Sequence, residues 1–418
     1  MLKKVYCYLS YIIFPFVALI LAKRRIKGKE SIERFPERLG LNSYTPSSKK
    51  LLWFHGASVG EAVSMLVLIN KILIENKDIE IMVTTGTLTS ARLMEERLPK
   101  GAFHQFVPVD IPHYIRRFLN HFKPSAIFWF ESEFWPNLVF EIEKKNIPLV
   151  LVNGRISNKS FKKWQWFKFF IKEILSCFSL CLGQTEEDTR RLGVLGAKNT
   201  LYLGNIKYAS PKLPFNAKDL KSLQKAIGNR PLWLGASTHN PEELALAKTH
   251  IDLKKDFDNI LTIIAPRHPN RGDDIVKGLS SLGLNIKQRS KSEMPDSTTD
   301  VYIADTLGEL GLFYELCNKV FVGGSLIPHG GQNMLEPARF GCSVIVGKHT
   351  HNFTDMITRA KDKEAVLEVS DETELYELLK KLLSEPNLLE KYGKNAQEFA
   401  ESEADVVNKI VDNINSFL

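Results

Sequence analysis

Along most of the chain, short runs of β-branched and aromatic residues alternate with longer stretches whose apolar positions recur every three to four residues. The runs at 51–54, 79–84, 103–109, 126–130, 149–152, 180–183 and 201–204 each read as a strand followed by a helix. The alternation pauses at 209–214, where Pro211 and Pro214 mark a linker, and resumes with strands at 232–236, 261–265, 300–304, 319–322 and 343–346. These strands are apolar throughout rather than at every second residue, which predicts parallel sheets covered on both faces. Helices are expected at 372–383 and 386–399, and a last one at 405–417 that can pack back on the first lobe. The expected fold class is α/β: two doubly wound parallel-sheet lobes, 30–208 and 217–418, facing a cleft and joined by a linker at 209–216. Residues 1–29 precede them as a membrane anchor with its basic flank.

The anchor rests on the apolar run 5–22, which carries Pro15 and three tyrosines between Lys3-Lys4 and the cluster Lys23, Arg24, Arg25, Lys27 and Lys29. As a helix it would be about 27 Å long at ~1.5 Å per residue, just short of a ~30 Å hydrocarbon core. It can span or lie shallow. Ile20-Leu21-Ala22 before a basic cluster makes a poor signal-peptide cleavage site, so an uncleaved anchor is expected. The heavier basic flank on its C-terminal side keeps the body in the cytoplasm.

Charge sharpens this picture. Residues 1–175 hold 27 Lys and Arg against 15 Asp and Glu, and residues 176–418 hold 29 against 33. The first half therefore owns the anionic partner, whether nucleic acid, a membrane face or a phosphorylated acceptor. Cys7, Cys177, Cys181, Cys317 and Cys342 form no C-x-x-C pair and no zinc spacing, and read as reduced core residues.

Ligands of open α/β sheets sit beyond the carboxyl ends of the strands, and several of those ends carry unusual residues here. The stretch 53–62, WFHGASVGEA, runs from strand through a two-glycine loop into a helix. Glu61 there suits either a carboxylate favoured by the helix dipole or a base that takes a proton from an acceptor hydroxyl. In 128–137, FWFESEFWPN, Glu131 and Glu133 end a buried strand; they could hold a metal, but no third ligand stands nearby, so a metal-free role for Glu131 is preferred. Lys207, in GNIK, and Arg267, after Pro266 in APRHP, are cations at strand ends of the two lobes, suited to an anionic leaving group.

The stretch 322–337, VGGSLIPHGGQNMLEP, carries the most specific pattern. Gly323, Gly324, Gly330 and Gly331, with Ser325, are expected to turn backbone N–H groups and a helix end toward a phosphate. Asn333 and Glu336 have capping-box spacing, and Glu336 can also accept from ribose hydroxyls. The chain contains neither a phosphate-loop G-x-x-x-x-G-K-[ST] nor a dinucleotide G-x-G-x-x-G, which removes the main support for ATPase and dehydrogenase readings.

FHGASVGE, TTGTLTSA, FESEFWPN, LVNGRIS, GNIK, APRHP and GGSLIPHGGQNMLEPA occur in the order and spacing of the Kdo transferases, and the chain resembles that family over nearly its whole length. The resemblance implies a GT-B fold and a metal-independent, inverting transfer of 3-deoxy-D-manno-octulosonic acid (Kdo) from CMP-Kdo to a lipid A precursor, at the cytoplasmic face of the inner membrane. It implies no cofactor beyond the donor, and no nucleic-acid partner. On these residues it makes Glu61 the general base and Glu131 with Lys207 the stabilising pair. It makes Pro266, Arg267, the turn Leu307-Gly308-Glu309, and Asn333, Met334, Leu335 and Glu336 the CMP site. Gly56 and Gly154 stand where many relatives have alanine, and Gln332 where histidine is common; these changes are expected to tune packing.

The physics is consistent with this. A CMP-sugar leaves as a nucleoside monophosphate, whose charge cations and backbone donors can offset. The stretch 159–170, KSFKKWQWFKFF, mixes lysines and aromatics as headgroup-level segments do. Two other readings compete: a GT-B enzyme of a UDP-sugar, transferase or epimerase, and a non-catalytic membrane-anchored binding protein that keeps the fold.

Overall fold

The computed structural model describes every residue except Met1, Ser43, Ser132 and Ser210, and the backbone alone of Leu2. The chain forms two compact units, Met1–Ser210 with Glu403–Leu418, and Pro211–Ser402.

The first unit is built on seven strands: β1 (Lys50–His55), β2 (Ile79–Thr85), β3 (Ala102–Phe106), β4 (Ala126–Phe130), β5 (Leu149–Gly154), β6 (Leu180–Gly183) and β7 (Thr200–Tyr202). They lie in the order β3-β2-β1-β4-β5-β6-β7, every pair parallel. Alternate residues feed two cores. Leu52, Phe54, Phe128, Phe130, Val150 and Val152 enter one, while Leu51, Trp53, Ile127, Trp129, Leu149 and Leu151 enter the other. That is why each strand reads as continuously apolar: both of its faces are inside. Each such side chain stabilises the fold by roughly 1.5–3 kcal/mol. The terminal helix Val406–Ile414 belongs to this unit and packs Val406, Val407, Ile410, Val411 and Ile414 into the first of these cores. A Cβ on Gly204, whose φ is +110°, would stand 3.0 Å from Val406 Cγ2, so glycine is needed where the helix arrives.

The second unit repeats the plan with β8 (Leu232–Thr238), β9 (Leu261–Pro266), β10 (Ile286–Gln288), β11 (Val301–Ile303), β12 (Lys319–Val322), β13 (Ser343–Gly347) and β14 (Leu367–Val369), ordered β10-β11-β9-β8-β12-β13-β14 and again parallel. Twelve of the fourteen strands are those expected from the pattern. The two unforeseen ones, β10 and β14, are three-residue edge strands with Lys287 and Glu368 at their centres. An edge strand is covered less and tolerates charge, so the apolar run that signals an inner strand is absent there.

The apolar N-terminal segment is one helix, Leu2–Ile26, with Pro15 inside it. By length and composition it is sufficient to cross a membrane. In the structure it lies along the first unit: the Tyr6 hydroxyl reaches Asp110 Oδ2 at 3.2 Å, Lys3 pairs with Glu143, and Tyr11 and Phe14 stack near His113 and Tyr114. The opposite face is a stripe of exposed apolar side chains: Val5, Tyr8, Leu9, Ile12, Ile13, Phe16, Leu19 and Ile20. Their three-to-four-residue spacing is that of one helix face.

The lysine and aromatic stretch 159–170 is split between helices Asn158–Trp166 and Lys168–Leu175. Phe161, Trp164 and Phe170 pack against the core, whereas Trp166, Phe167 and Phe169 are exposed.

Candidate functional site

In each sheet the strand order reverses at one place, and a crevice opens there at the carboxyl ends. In the first unit it lies between β1 and β4, which pair directly, His55 opposite Trp129. The Gly56 loop leaves β1 and Glu131 leaves β4, so the topology sets both motifs side by side.

Glu61 begins the helix Val59–Glu75, and it forms a complete capping box: its backbone N–H donates to Ser58 Oγ, and its own carboxylate accepts from the Ser58 N–H. Oε2 also accepts from the Ala57 N–H, and Oε1 from the Ser58 hydroxyl at 2.8 Å. The carboxylate is thereby held in one rotamer and buried. Its structural role is real, and it coexists with a basic oxygen, Oε1, that has only one donor on it. The absence of a side chain at Gly56 makes this possible, since a Cβ there would lie 3.0 Å from Glu61 Cβ and 3.4 Å from Oε2.

Glu131 pairs with Lys207, which rides on the short helix Ile206–Ala209 after β7. Glu131 has left-handed backbone, φ 58°, as does Asn153 on neighbouring β5. Asn153 Oδ1 accepts from the Ile206 N–H at 3.2 Å, which fixes the lysine-bearing turn against β5. Its buried Nδ2 has no partner among the described residues. Asn153 was not foreseen; a left-handed asparagine carries no signature that distinguishes it in sequence from an ordinary strand residue. Glu133 is a separate group: burial, and then the nearby Glu61 carboxylate, push its carboxyl up. Among the described residues no cluster of three His, Cys, Asp or Glu side chains could hold a metal ion.

Beside this crevice is a pocket of about 360 Å³, lined by Val17, Leu21 and Arg24 of the N-terminal helix and by Arg38, His55, Ala57, Val107, Glu133 and Trp135 among others. Trp53 Nε1–H donates to Thr84 Oγ1, and Thr84 Oγ1 in turn meets His55 Nδ1 at 2.8 Å. The His55 Nε2 is buried without a partner among the described residues. Burial, aided by the Arg38 charge, pushes the imidazole down to about 3, so it is neutral at ordinary pH.

The crevice of the second unit lies between β8 and β12. A second pocket of about 360 Å³ there is lined by Ser237, Arg267, Gly308, Tyr314, Gln332, Asn333 and Glu336, with Leu213, Pro214, Leu310 and Val322. It joins four of the expected donor-site residues from three separate segments. The guanidinium of Arg267 has no partner among the described residues, and Arg267 N–H anchors to Thr238 O at 3.0 Å. Burial pushes the Glu336 carboxyl up. Ser237, at φ 56°, and Tyr314 were not foreseen.

Several expectations need correction. The N–H groups of Gly324, Ser325 and Leu326 do not await a phosphate: they donate to the buried carboxylate of Glu242 at 2.7, 3.0 and 3.0 Å. That nest is already filled by an anion belonging to the protein itself. Gly323 is needed for close packing, as a Cβ would meet Ser237 O at 2.6 Å, and the Gly331 N–H is spent on Gly324 O. Asn333 and Glu336 form no capping box. Asn333 accepts from the Leu335 N–H and donates to Glu336 Oε1 at 3.4 Å, and the following helix, Leu335–Ala338, has only four residues. Met334 and Leu335 are wholly buried core. Of the turn 307–309, Leu307 is exposed, Gly308 lines the pocket, and Glu309 is held by Arg289 at 2.6 and 3.0 Å, which pulls its carboxyl down. Pro266 closes β9 and places Arg267.

The family model described as 3-Deoxy-D-manno-octulosonic-acid transferase (kdotransferase) matches residues 33–210. A 3-deoxy-D-manno-octulosonic acid transferase of Rickettsia bellii is 34% identical over 418 residues, the whole of both chains. One from Haemophilus influenzae is 31% identical over 99% of this chain and 98% of its own. Among solved structures, UDP-GlcNAc 2-epimerase from Neisseria meningitidis, bound to UDP-GlcNAc, superposes with a TM-score of 0.59 over 88% of this chain and 100% of its own; at 15% identity it shares the two-lobed fold alone. Full-length identity above 30% joined to the strand-end motifs is decisive: the chain belongs to the 3-deoxy-D-manno-octulosonic acid transferase family.

Proposed function

We propose that this protein transfers Kdo from CMP-Kdo to the sugar hydroxyl of a lipid A precursor in lipopolysaccharide synthesis. The observation that carries the reading is the convergence at the β1/β4 crevice, where a fixed carboxylate, Glu61, stands in the first turn of the helix that follows β1, and the Glu131–Lys207 pair stands at the end of the neighbouring β4. Glu61 removes the acceptor's proton through Oε1 as the hydroxyl attacks the anomeric carbon, with inversion. Lys207, oriented by Glu131, offsets negative charge in the transition state. In the second unit Arg267 takes the phosphate of CMP, while Glu336, oriented by Asn333, takes the ribose hydroxyls. No metal is required, because the cation beside Glu131 is the ammonium of Lys207.

The protein works on the cytoplasmic side of the inner membrane, with the N-terminal helix lying along the near leaflet. Its contacts with Asp110, His113 and Glu143 support this: a perpendicular span would draw those polar groups into hydrocarbon, at several kcal/mol each. The stripe from Val5 to Ile20, with Trp166, Phe167 and Phe169, then meets lipid, and the basic surface of the first half meets anionic headgroups.

Incubation with CMP-Kdo and a tetraacylated lipid A precursor, followed by mass spectrometry, should give product heavier by one or more Kdo units. Recovery of only unmodified acceptor, where a known Kdo transferase converts the same acceptor under the same conditions, would sink the assignment.

A further inference from the structure

The N-terminal helix does more than face lipid. Val17, Leu21 and Arg24 share one face with Tyr6 and Phe14, the face toward the protein, and they form one wall of the pocket beside the Glu61 loop. The opposite wall holds His55 and Ala57, and Ala57 N–H is bonded to Glu61 itself. A passive tether has no reason to contribute side chains at that place.

The chemistry of the walls is divided. Val17 and Leu21 are apolar and continue into the lipid-facing helix. Arg24 is a cation whose Nε pairs with Glu30 Oε1 at 2.8 Å, while its two terminal nitrogens have no partner among the described residues. Arg38 is unlike it, because each of its three nitrogens has a partner: it donates to Glu30, to Val107 O and to Gly86 O. Arg38 thus holds Glu30 in place, and Glu30 aims Arg24. His55 supplies a further polar atom: its Nδ1 is engaged with Thr84 Oγ1, which also accepts from Trp53, and its Nε2 is buried without a partner among the described residues, where it donates to a ligand oxygen in the tautomer whose proton stands on Nε2. A buried polar nitrogen left unpaired is costly, and a ligand oxygen bonded to it removes that cost.

We infer that this pocket seats the phosphorylated, acylated end of the acceptor: phosphate oxygens on Arg24 and His55 Nε2, and an acyl chain along Val17 and Leu21 toward the bilayer. The N-terminal helix is then a wall of the acceptor site, and it delivers the sugar hydroxyl to Glu61 without the lipid leaving the membrane. This deepens the proposed function and rests on it for the identity of the acceptor. A pocket of about 360 Å³ admits a phosphosugar and the start of one chain, in the range of small-molecule sites.

The test uses the full chain in detergent micelles or nanodiscs, with a tetraacylated, phosphorylated lipid A precursor as probe. Arg24→Gln should raise the acceptor KM at least about tenfold, the loss of a charge-assisted hydrogen bond, with CMP affinity unchanged. Val17→Trp, which fills the pocket and keeps the helix apolar, should do the same while vesicle binding persists; Leu21→Trp serves if Val17→Trp does not fold. A fully dephosphorylated acceptor should bind the parent and Arg24→Gln alike. Unchanged KM in Arg24→Gln and in the tryptophan variant overturns the inference, as does a variant impaired only through loss of vesicle binding. Acceptor binding measured without donor separates the two readings. If the parent binds the lipid and the variants do not, yet no Kdo is transferred, the proposed function fails and the pocket stands.

Discussion

Glu131, the first residue after β4, is ion-paired with Lys207, 76 residues further along the chain, and holds a left-handed backbone with φ 58° to do so. A non-glycine residue in that region costs about 1–3 kcal/mol, and such residues persist where the surroundings over-determine them, commonly at functional sites. Asn153, on the next strand, has the same conformation and fixes the turn that carries the lysine.

Glu131→Gly therefore separates stability from activity. The backbone strain, about 1 kcal/mol, is released, so the melting temperature should hold or rise, while turnover falls because Lys207 loses its orienting partner. Lys207→Met should lower turnover comparably, and the double variant should be little worse than either. Additive losses in that cycle would show that the two act independently.

For Glu61 the capping box complicates a simple substitution. Glu61→Gln should reduce turnover by ~10²–10⁴, the usual contribution of a positioned base, and should also cost some stability. Ser58→Ala breaks the same cap at about 1 kcal/mol but leaves the carboxylate. Its turnover should stay within about tenfold of the parent's. Equal activity losses in the two variants, at equal loss of melting temperature, would assign Glu61 a structural role only.

In the donor unit, Arg267→Ala and Glu336→Ala should each weaken CMP about tenfold to a hundredfold by calorimetry. Glu242→Gln is the contrasting case. It removes the anion that four backbone N–H groups share, those of His239, Gly324, Ser325 and Leu326, so it should lower the melting temperature of this unit by more than either site variant. A Glu242→Gln protein as stable as the parent would contradict the account of the filled nest.

Two buried histidines should cost the first unit stability in acid, opposed in part by Asp110, whose carboxyl burial pushes up to about 6. Burial pushes both His55 and His104 down to about 3, against about 6.5 for an unfolded histidine. Below pH 6.5 the unfolded chain therefore binds protons that the folded unit refuses, and stability is lost as pH falls from about 6.5 toward 3. Denaturant midpoints between pH 7.5 and 4.5 should drop, and His55→Gln should flatten that slope by close to one proton. An unchanged slope would mean that His55 charges in the folded state.

Ile12→Asp, on the exposed stripe of the N-terminal helix, should release the protein from vesicles. Binding that remains should fall with salt, because charge attraction is screened within ~10 Å at 0.1 M. Retention at the parent's level in high salt would place the lipid contact elsewhere.

What the residues alone determined follows from local patterning. Continuous apolar runs between amphipathic stretches are enough to imply buried parallel strands, since every side chain of a strand covered on both faces must be apolar, and twelve strands were legible for that reason. The motifs at the strand ends were legible too, because glycines, prolines and lone charges stand out against such runs. Tertiary structure decided how those charges are spent. Glu242 lies more than 80 residues from Gly324, Ser325 and Leu326, whose N–H groups it accepts from, and nothing near either segment announces the partnership. The same holds for Asn153 and Ile206, for Arg289 and Glu309, and for the helix face that puts Val17, Leu21 and Arg24 beside His55. Hydrophobic periodicity is written in neighbouring residues, whereas the satisfaction of a buried polar group depends on whichever distant residue the fold brings within 3 Å.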